Sequence, residues 1–168
     1  MKKNRILALI LASLLLLTSC GITKTDNKRS EIEVTDQIGR IINLDAPAAR
    51  IVSSYYTSTS ILLALGLREN IVGIEMKADT RRLYSLAAPE LASLPAVGSG
   101  KGINIEETCA LEPDLVIIPK RLSDSIVSFE ELGIPVVVVN PETEEDFMNC
   151  VKILGKLTGT ENKAEKLV

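Results

Sequence analysis

The run LVII at residues 115–118 limits this chain to few fold classes. Large apolar side chains without polar alternation are typical of a strand that is covered on both faces, as in a parallel sheet. The residues just before the run predict a short helix, because Asn104 can cap it and Glu107 can close a capping box. Pro113 ends this helix, since it drives the residue before it out of helical geometry. A helix that leads into a buried strand is the repeating unit of an α/β sheet.

The rest of the chain predicts the same alternation. Strands are expected at residues 51–53, 71–74, 96–97 and 135–139, and a β-hairpin at residues 32–44. Helices are expected at residues 59–65 (capped by Ser58 or Thr59), at 123–132, from Thr143 (which opens its helix with Asp146), and from Thr160 through Val168. Parallel strands with right-handed crossovers place ligands at the carboxyl ends of the strands.

The first twenty residues have the layout of an export signal: a basic start, an apolar stretch at residues 6–17, and small residues before Cys20. As a helix this stretch would reach about 18 Å, short of the roughly 30 Å hydrocarbon core, so a cleaved signal is favoured over a spanning helix. The sequence LTSC at residues 17–20 resembles a bacterial lipobox, which implies that Cys20 carries acyl chains. An ordinary signal with an incidental cysteine is the alternative. Residues 21–30 are polar and charged and predict a tether.

The composition excludes several function classes. The chain has no histidine, so it cannot supply a Ser-His-Asp or Cys-His nucleophile system. It also lacks the usual neutral metal ligand, and neither a metal site nor a cofactor is predicted. The formal charge is −3, or −6 without the three basic residues of the signal. An acidic chain without a basic stripe argues against nucleic-acid binding.

The pattern NIEETCALEPDLVI at residues 104–117 resembles the lobe signature of substrate-binding proteins of ABC importers for iron–siderophore, haem and cobalamin. The resemblance spans residues 32–168 and implies a parallel-sheet, three-layer, Rossmann-like α/β lobe, the first of two lobes joined by a long helix. The implied organisation is a signal peptide at 1–19, a lipid-anchored tether and hairpin at 20–45, the amino-terminal lobe at 46–158, and the start of the inter-lobe helix at 159–168. On this interpretation the 168 residues are a fragment or truncated product of a two-lobe binder.

Four turns that follow strand ends contain the candidate ligand-binding residues. The turns are SSYYTS at 53–58, EMKADTRRLY at 75–84, GSGKG at 98–102 and PKR at 119–121. Cations at strand ends suit carboxylate or phosphate groups, arginine more specifically than lysine. The glycine-rich turn lacks the spacing of either nucleotide-binding loop and predicts a flexible rim with one cation. The candidates are Ser54, Tyr55, Tyr56, Lys77, Arg81, Arg82, Tyr84, Lys101 and Lys120.

Each candidate also has a structural explanation. The hydroxyl residues could cap a helix, a tyrosine could be a buried ring, and the charged residues could form a solvated face with i,i+4 pairs.

The resemblance also narrows the ligand. Cobalamin binders of the family carry aromatic residues in the second and third turns, where this chain has Met76, Lys77 and Ser99. Cationic turns instead imply an anionic chelate, either a ferric siderophore or haem with its propionates. Tyr84 would be the haem ligand, although its surroundings differ from the usual L-Y-P.

The resemblance further implies that Glu106 docks on arginine of the membrane permease. The alternative is a carboxylate that only complements the helix dipole, which applies equally to Glu107. Cys109 and Cys150 fall in helical, mostly apolar stretches and predict packed free thiols.

The function predicted from these features is that of a non-enzymatic lipoprotein on the extracytoplasmic face of the cell membrane. It would capture an iron complex and deliver it to ABC permease and ATPase subunits. The alternatives are a binder of cobalamin or another anionic metal chelate, an extracytoplasmic α/β enzyme, and an assembly or adhesion module.

Overall fold

The computed structural model describes residues 32–168. The predicted signal segment, Cys20 and the tether lie outside the described residues. Within residues 32–168, no helix combines the length and the apolar character that crossing a membrane requires.

A six-stranded sheet forms the centre of the described chain. Its strands are β3 (Ile51–Ser53), β4 (Ile71–Glu75), β5 (Ala96–Ser99), β6 (Gly102–Ile103), β7 (Leu115–Pro119) and β8 (Val136–Val139), in the order β6-β5-β4-β3-β7-β8. All neighbouring strands pair in parallel except β5 and β6. This confirms the predicted α/β fold with its mostly parallel sheet; the two-residue strand β6 was not predicted.

The apolar run at residues 115–118 is β7, and it is buried on both faces as predicted. Leu115 and Ile117 pack into one core cluster, while Val116 and Ile118 pack into a second cluster. Because successive side chains of a strand point to opposite faces, the two clusters lie on the two sides of the sheet. The sheet is therefore the middle layer of a three-layer lobe.

Short helices connect the strands. The α-helices are α1 (Tyr56–Ala64), α2 (Arg82–Ala87), α3 (Ile105–Ala110), α4 (Ile126–Glu130), α5 (Glu144–Leu157) and α6 (Glu161–Ala164). Short 3₁₀ segments lie at Arg68–Asn70, Ala78–Thr80, Pro89–Ser93 and Lys120–Ser125. Cys150 is buried in α5 and Cys109 is half-buried in α3, and both are free thiols as predicted.

Three helix predictions were wrong in their bounds. Helix α1 begins at Tyr56, ahead of both predicted caps, because Ser58 and Thr59 are buried in a hydrogen-bond network instead. The helix expected at residues 123–132 is a 3₁₀ segment followed by the short α4. The helix expected to continue through Val168 is the single α-helical turn α6, followed by turn residues.

The caps of α3 and α5 follow from their sequences. Thr143 and Asp146 form a complete capping box on α5. At α3, the Asn104 side chain accepts from the Glu107 backbone N–H at 3.2 Å, as predicted. The reciprocal bond of a capping box is absent, because the Asn104 backbone N–H donates to Val97 O. The Glu107 carboxylate instead accepts from Asn104 Nδ2 at 3.3 Å.

A hairpin of β1 (Ile32–Thr35) and β2 (Ile41–Leu44) forms the predicted second, antiparallel sheet. Its turn attaches to the edge strand β8. The Asp36 carboxylate accepts from Val138 N at 3.3 Å, and Gln37 N donates to Val138 O at 3.2 Å. The Gln37 side chain also accepts from Asn140 N at 2.7 Å, so the hairpin covers the outer edge of β8.

Candidate ligand-binding cleft

An open cleft lies at the carboxyl ends of the sheet strands, where parallel α/β sheets place their ligands. Its first part, the near compartment, has a volume of about 650 Å³. Residues from the ends of β3, β4, β5 and β7 line it: Ser54, Tyr55, Tyr56, Glu75, Met76, Lys77, Arg81, Ser99, Gly100, Lys101 and Arg121. Its size falls within the usual range of small-molecule sites.

A second part, the far compartment, has a volume of about 590 Å³ and lies at the ends of β7 and β8. It is lined by Tyr55, Pro119, Lys120, Arg121, Val139, Asn140, Pro141 and Glu142. Tyr55 and Arg121 belong to both parts, so these two side chains form the partition between the compartments.

A buried carboxylate forms the floor of the near compartment. Glu75 is only 4% exposed, at the end of β4. Its Oε1 accepts from the Tyr84 hydroxyl at 2.7 Å, and its Oε2 accepts from Thr59 Oγ1 at 2.9 Å. Burial, followed by the hydrogen bond and charge of Glu75, raises the pKa of Tyr84 well above its usual range. The phenol therefore stays protonated and serves as a fixed donor.

Arg81 lies beside this carboxylate but is not hydrogen-bonded to it. Its Nε is 4.0 Å from Glu75 Oε1, and that nitrogen is buried without a hydrogen-bond partner among the described residues. The guanidinium lies 4.6 Å from the centre of the Tyr56 ring, and the Tyr56 ring in turn packs on Tyr84 at 5.7 Å between centroids. Arg81 is thus oriented by an aromatic face, and its remaining N–H groups are free for a ligand.

Arg121 is held differently. Its Nε donates to Gly100 O at 2.6 Å, and its guanidinium carbon lies 5.1 Å from the centre of the Tyr55 ring. None of the described carboxylates forms an ion pair with it. The glycine-rich turn, predicted as a flexible rim, is therefore the acceptor that places a cation at the partition.

Lys77 has the left-handed backbone conformation, with φ of 65°. A side chain in this region costs about 1–2 kcal/mol relative to right-handed geometry. Lys77 O accepts from both Thr80 N and Thr80 Oγ1, which stabilises the turn. Backbone strain of this kind concentrates at functional sites, and Lys77 does line the near compartment.

The four turns thus come together, although two candidates lie apart from the cleft. Ser54, Tyr55, Tyr56, Lys77, Arg81 and Lys101 line the near compartment, and Lys120 lines the far one. Arg82 is exposed on α2 and lines neither compartment. Tyr84 is fully buried, and its hydroxyl is engaged by Glu75, so it supports the floor rather than facing the cleft. Glu106 is exposed in the first turn of α3, outside both compartments.

Sequence reasoning did not select Glu75 or Arg121. Both occur in the predicted turns, and Arg121 directly follows the selected Lys120. Position at a strand end was the available signal for both. Glu75 is distinguished by its burial and Arg121 by its position in the partition. Both features depend on contacts from distant parts of the chain.

A mostly parallel sheet with polar and cationic side chains at its carboxyl edge is the arrangement of an α/β small-molecule-binding lobe. The chain belongs to the family described as "Periplasmic binding protein", which matches residues 51–168. This confirms the resemblance seen in residues 104–117.

The relatives include transport proteins of several specificities. The chain is 26% identical to the ABC transporter substrate-binding lipoprotein YvrC of Bacillus subtilis, over 99% of this chain and 55% of that protein. It is 25% identical to the petrobactin-binding protein YclQ of Bacillus subtilis, over 98% of this chain and 54% of the relative. The solved structure of the molybdate-binding protein MolA of Haemophilus influenzae superposes with a TM-score of 0.74 and 22% identity, covering 81% of this chain and 49% of that one. The chain therefore spans about half the length of these relatives.

Proposed function

We propose that this chain is the ligand-capturing lobe of an extracytoplasmic solute-binding lipoprotein that serves an ABC importer, with a ferric siderophore or haem as the cargo. It would bind and release its ligand without chemical change. A second lobe would close over the cleft.

The observation that carries this proposal is the set of uncompensated cations around the cleft. Within residues 32–168, Lys77, Lys101, Lys120 and Arg121 form no ion pair with any carboxylate. Arg81 has a single carboxylate neighbour, at 4.0 Å. Cations that line one cleft without internal partners favour an anionic ligand. Tyr55 and Tyr56 supply aromatic surface for the organic part of such a ligand.

Two relatives support an anionic ligand, whereas others are named as vitamin B12-binding proteins. YclQ is named for petrobactin and MolA for molybdate. The iron complex is favoured over molybdate because two compartments of roughly this size suit a ligand much larger than a tetrahedral oxyanion.

Arg81 and Arg82 form a matched pair for testing the ligand site. The natural gene product would be titrated by calorimetry with ferric siderophores, haem, cobalamin and molybdate. We expect one ferric chelate or haem to bind in the micromolar range or better, Arg81→Gln to weaken binding at least tenfold, and Arg82→Gln to leave it within twofold. Binding of cobalamin or molybdate alone would replace the iron assignment. If Arg81→Gln and Arg82→Gln changed the affinity equally, Arg81 would not be a ligand-binding residue.

We also propose that Glu106 docks on a basic group of the permease. The Glu107 carboxylate is engaged by the Asn104 amide, whereas the neighbouring Glu106 carboxylate has no hydrogen bond or ion pair with any described residue. An exposed carboxylate of this kind steers association more than it tightens the complex. In proteoliposomes with permease and ATPase, Glu106→Lys should lower ligand-stimulated ATP hydrolysis severalfold at low salt, while Glu107→Gln should not. An unchanged rate for Glu106→Lys would contradict this assignment.

The anchor proposed at Cys20 has a simple test. The wild-type protein should sediment with membranes, and Cys20→Ala should release it or leave the signal uncleaved. A wild-type product that is soluble and unacylated would contradict the lipid anchor.

A further inference from the structure

The position of Arg121 depends on the absence of a side chain at residue 100. The Arg121 Nε–H donates to Gly100 O, and its guanidinium stacks on the Tyr55 ring. A Cβ atom added at residue 100 would overlap the guanidinium, lying 2.5 Å from Cζ and from Nε. Since the Arg121 side chain is long and exposed, its head would move aside while the backbone stayed in place.

We propose that Gly100 is a positioning residue that seats Arg121 between the two compartments, so that the cleft takes a chelate with acidic groups on both sides of Tyr55. This inference rests on the proposed function and narrows it. A ferric complex with carboxylates or phenolates around the metal fits such a cleft better than haem, whose two propionates lie on one edge.

The hydrogen-bond inventory of Arg121 supports this role. A guanidinium has five N–H donors in a flat fork, and Gly100 O uses one of them. The other four have no partner among the described residues, and the stacked ring restricts how the head rotates. A cation held in place before the ligand arrives loses less conformational entropy on binding than a free one.

The charges on the two sides of Arg121 fit a two-sided ligand. The near compartment contains Lys77, Lys101 and Arg81 together with the buried carboxylate Glu75. The far compartment contains Lys120 and also one carboxylate, Glu142. Cations therefore face the cleft on both sides of the partition, and Arg121 is within reach of acidic groups from either side.

The glycine-rich turn itself provides the matched control. A Cβ at Gly102 would meet no atom within 4 Å, and neither glycine has the positive φ that disfavours alanine. Using ferric citrate as the probe, we expect Gly100→Ala to weaken binding by about tenfold and Gly102→Ala to leave it within twofold. In an Arg121→Ala background, Gly100→Ala should have no further effect. A loss that persists in that background would show that Gly100 acts through the backbone and would overturn the proposal.

Lys120→Ala and Lys77→Ala test the two-sided ligand. Each substitution should weaken the binding of ferric citrate severalfold. Haem binding should be weakened by only one of the two, because both propionates lie on one edge of haem. Ferric citrate binding that is insensitive to Lys120→Ala would overturn the two-sided assignment.

A measurement without iron separates this inference from the proposed function. The Arg121 Nε–H signal, observed by ¹⁵N NMR, should be protected from exchange in the wild type and in Gly102→Ala but not in Gly100→Ala, and molybdate should shift it. If molybdate shifts the signal but no ferric chelate or haem binds, the iron assignment fails and the positioning of Arg121 by Gly100 for an anion stands. If Gly100→Ala leaves the signal protected, or if no anion shifts it, that positioning role is overturned.

Discussion

Replacing Tyr84 by phenylalanine tests whether the floor of the cleft depends on a charge-assisted hydrogen bond. The substitution keeps the buried ring and removes only the hydroxyl that donates to Glu75 Oε1 at 2.7 Å. Glu75 would keep its bond from Thr59 and the charge of Arg81 at 4.0 Å, but it would lose the shorter of its two hydrogen bonds.

The expected loss follows from the partners. A hydrogen bond to a charged group contributes about 1.5–3 kcal/mol, and the 4% exposed Glu75 carboxylate would be left with one donor fewer. We therefore expect the free energy of unfolding to fall by about 2–3 kcal/mol. For a chain of this size that corresponds to a fall in Tm of roughly 4–12 °C.

The assay is urea unfolding at pH 7, followed by circular dichroism, with Tyr56→Phe as the control. The Tyr56 hydroxyl has no hydrogen bond to any described residue, and its ring is partly exposed, so that variant should stay within about 0.5 kcal/mol of wild type. In a Glu75→Gln background the partner is neutral, and Tyr84→Phe should cost only about 0.5–1.5 kcal/mol. Equal losses in both backgrounds, or a Tyr84→Phe variant as stable as the control, would refute the charge-assisted bond.

Three further predictions concern other parts of the lobe. Burial raises the pKa of the Cys150 thiol from 9.0 to about 12, so the folded state keeps a proton that the unfolded chain loses. The free energy of unfolding should therefore fall as pH rises above 9, by about 1.4 kcal/mol per pH unit, in the wild type and in Cys109→Ala. The fall should be less steep in Cys150→Ala, and denaturation series at several pH values that give all three proteins the same slope would contradict this. Lys77→Gly should raise the free energy of unfolding by about 0.5–1 kcal/mol, because glycine tolerates the positive φ. The same variant should bind the proposed ferric chelate more weakly in calorimetry. A variant less stable than wild type would show that Lys77 is unstrained. Asp36→Ala should lower the free energy of unfolding by about 3 kcal/mol, because the fully buried carboxylate bonds both Arg40 and Val138 N; a loss under 1 kcal/mol in urea titration would contradict that role.

Elements with local signals were predictable from the sequence. The run at residues 115–118 identified β7, because a strand buried on both faces has no polar alternation. Thr143 and Asp146 identified the start of α5 for a similar reason, since a capping box requires only residues that are neighbours in the chain. Pro113 correctly ended α3, and the residue before it, Glu112, has φ of 48°.

Features that depend on distant contacts were not predictable. Ser58 and Thr59 have the residue types of helix caps, but they bond Tyr55, Ser53 and Glu75 in the interior. Tyr84 was chosen as a ligand residue because haem binders of the resembling family place a tyrosine in this turn. Its burial became clear only when the fold placed Glu75 of β4 beside it. The partition at Arg121 needs a carbonyl 21 residues away, which no local pattern records.

The hairpin at the start of the described chain and the far compartment meet at the β8 edge of the sheet. The Gln37 side chain accepts from the backbone N–H of Asn140, 103 residues later, and Asn140 lines the far compartment. The family match begins at residue 51 and so leaves the hairpin out. A protein trimmed to that boundary would lose the hydrogen bond that holds Asn140 in the wall of the far compartment. Weak ligand binding by such a protein would then reflect the loss of this contact and not a wrong choice of ligand.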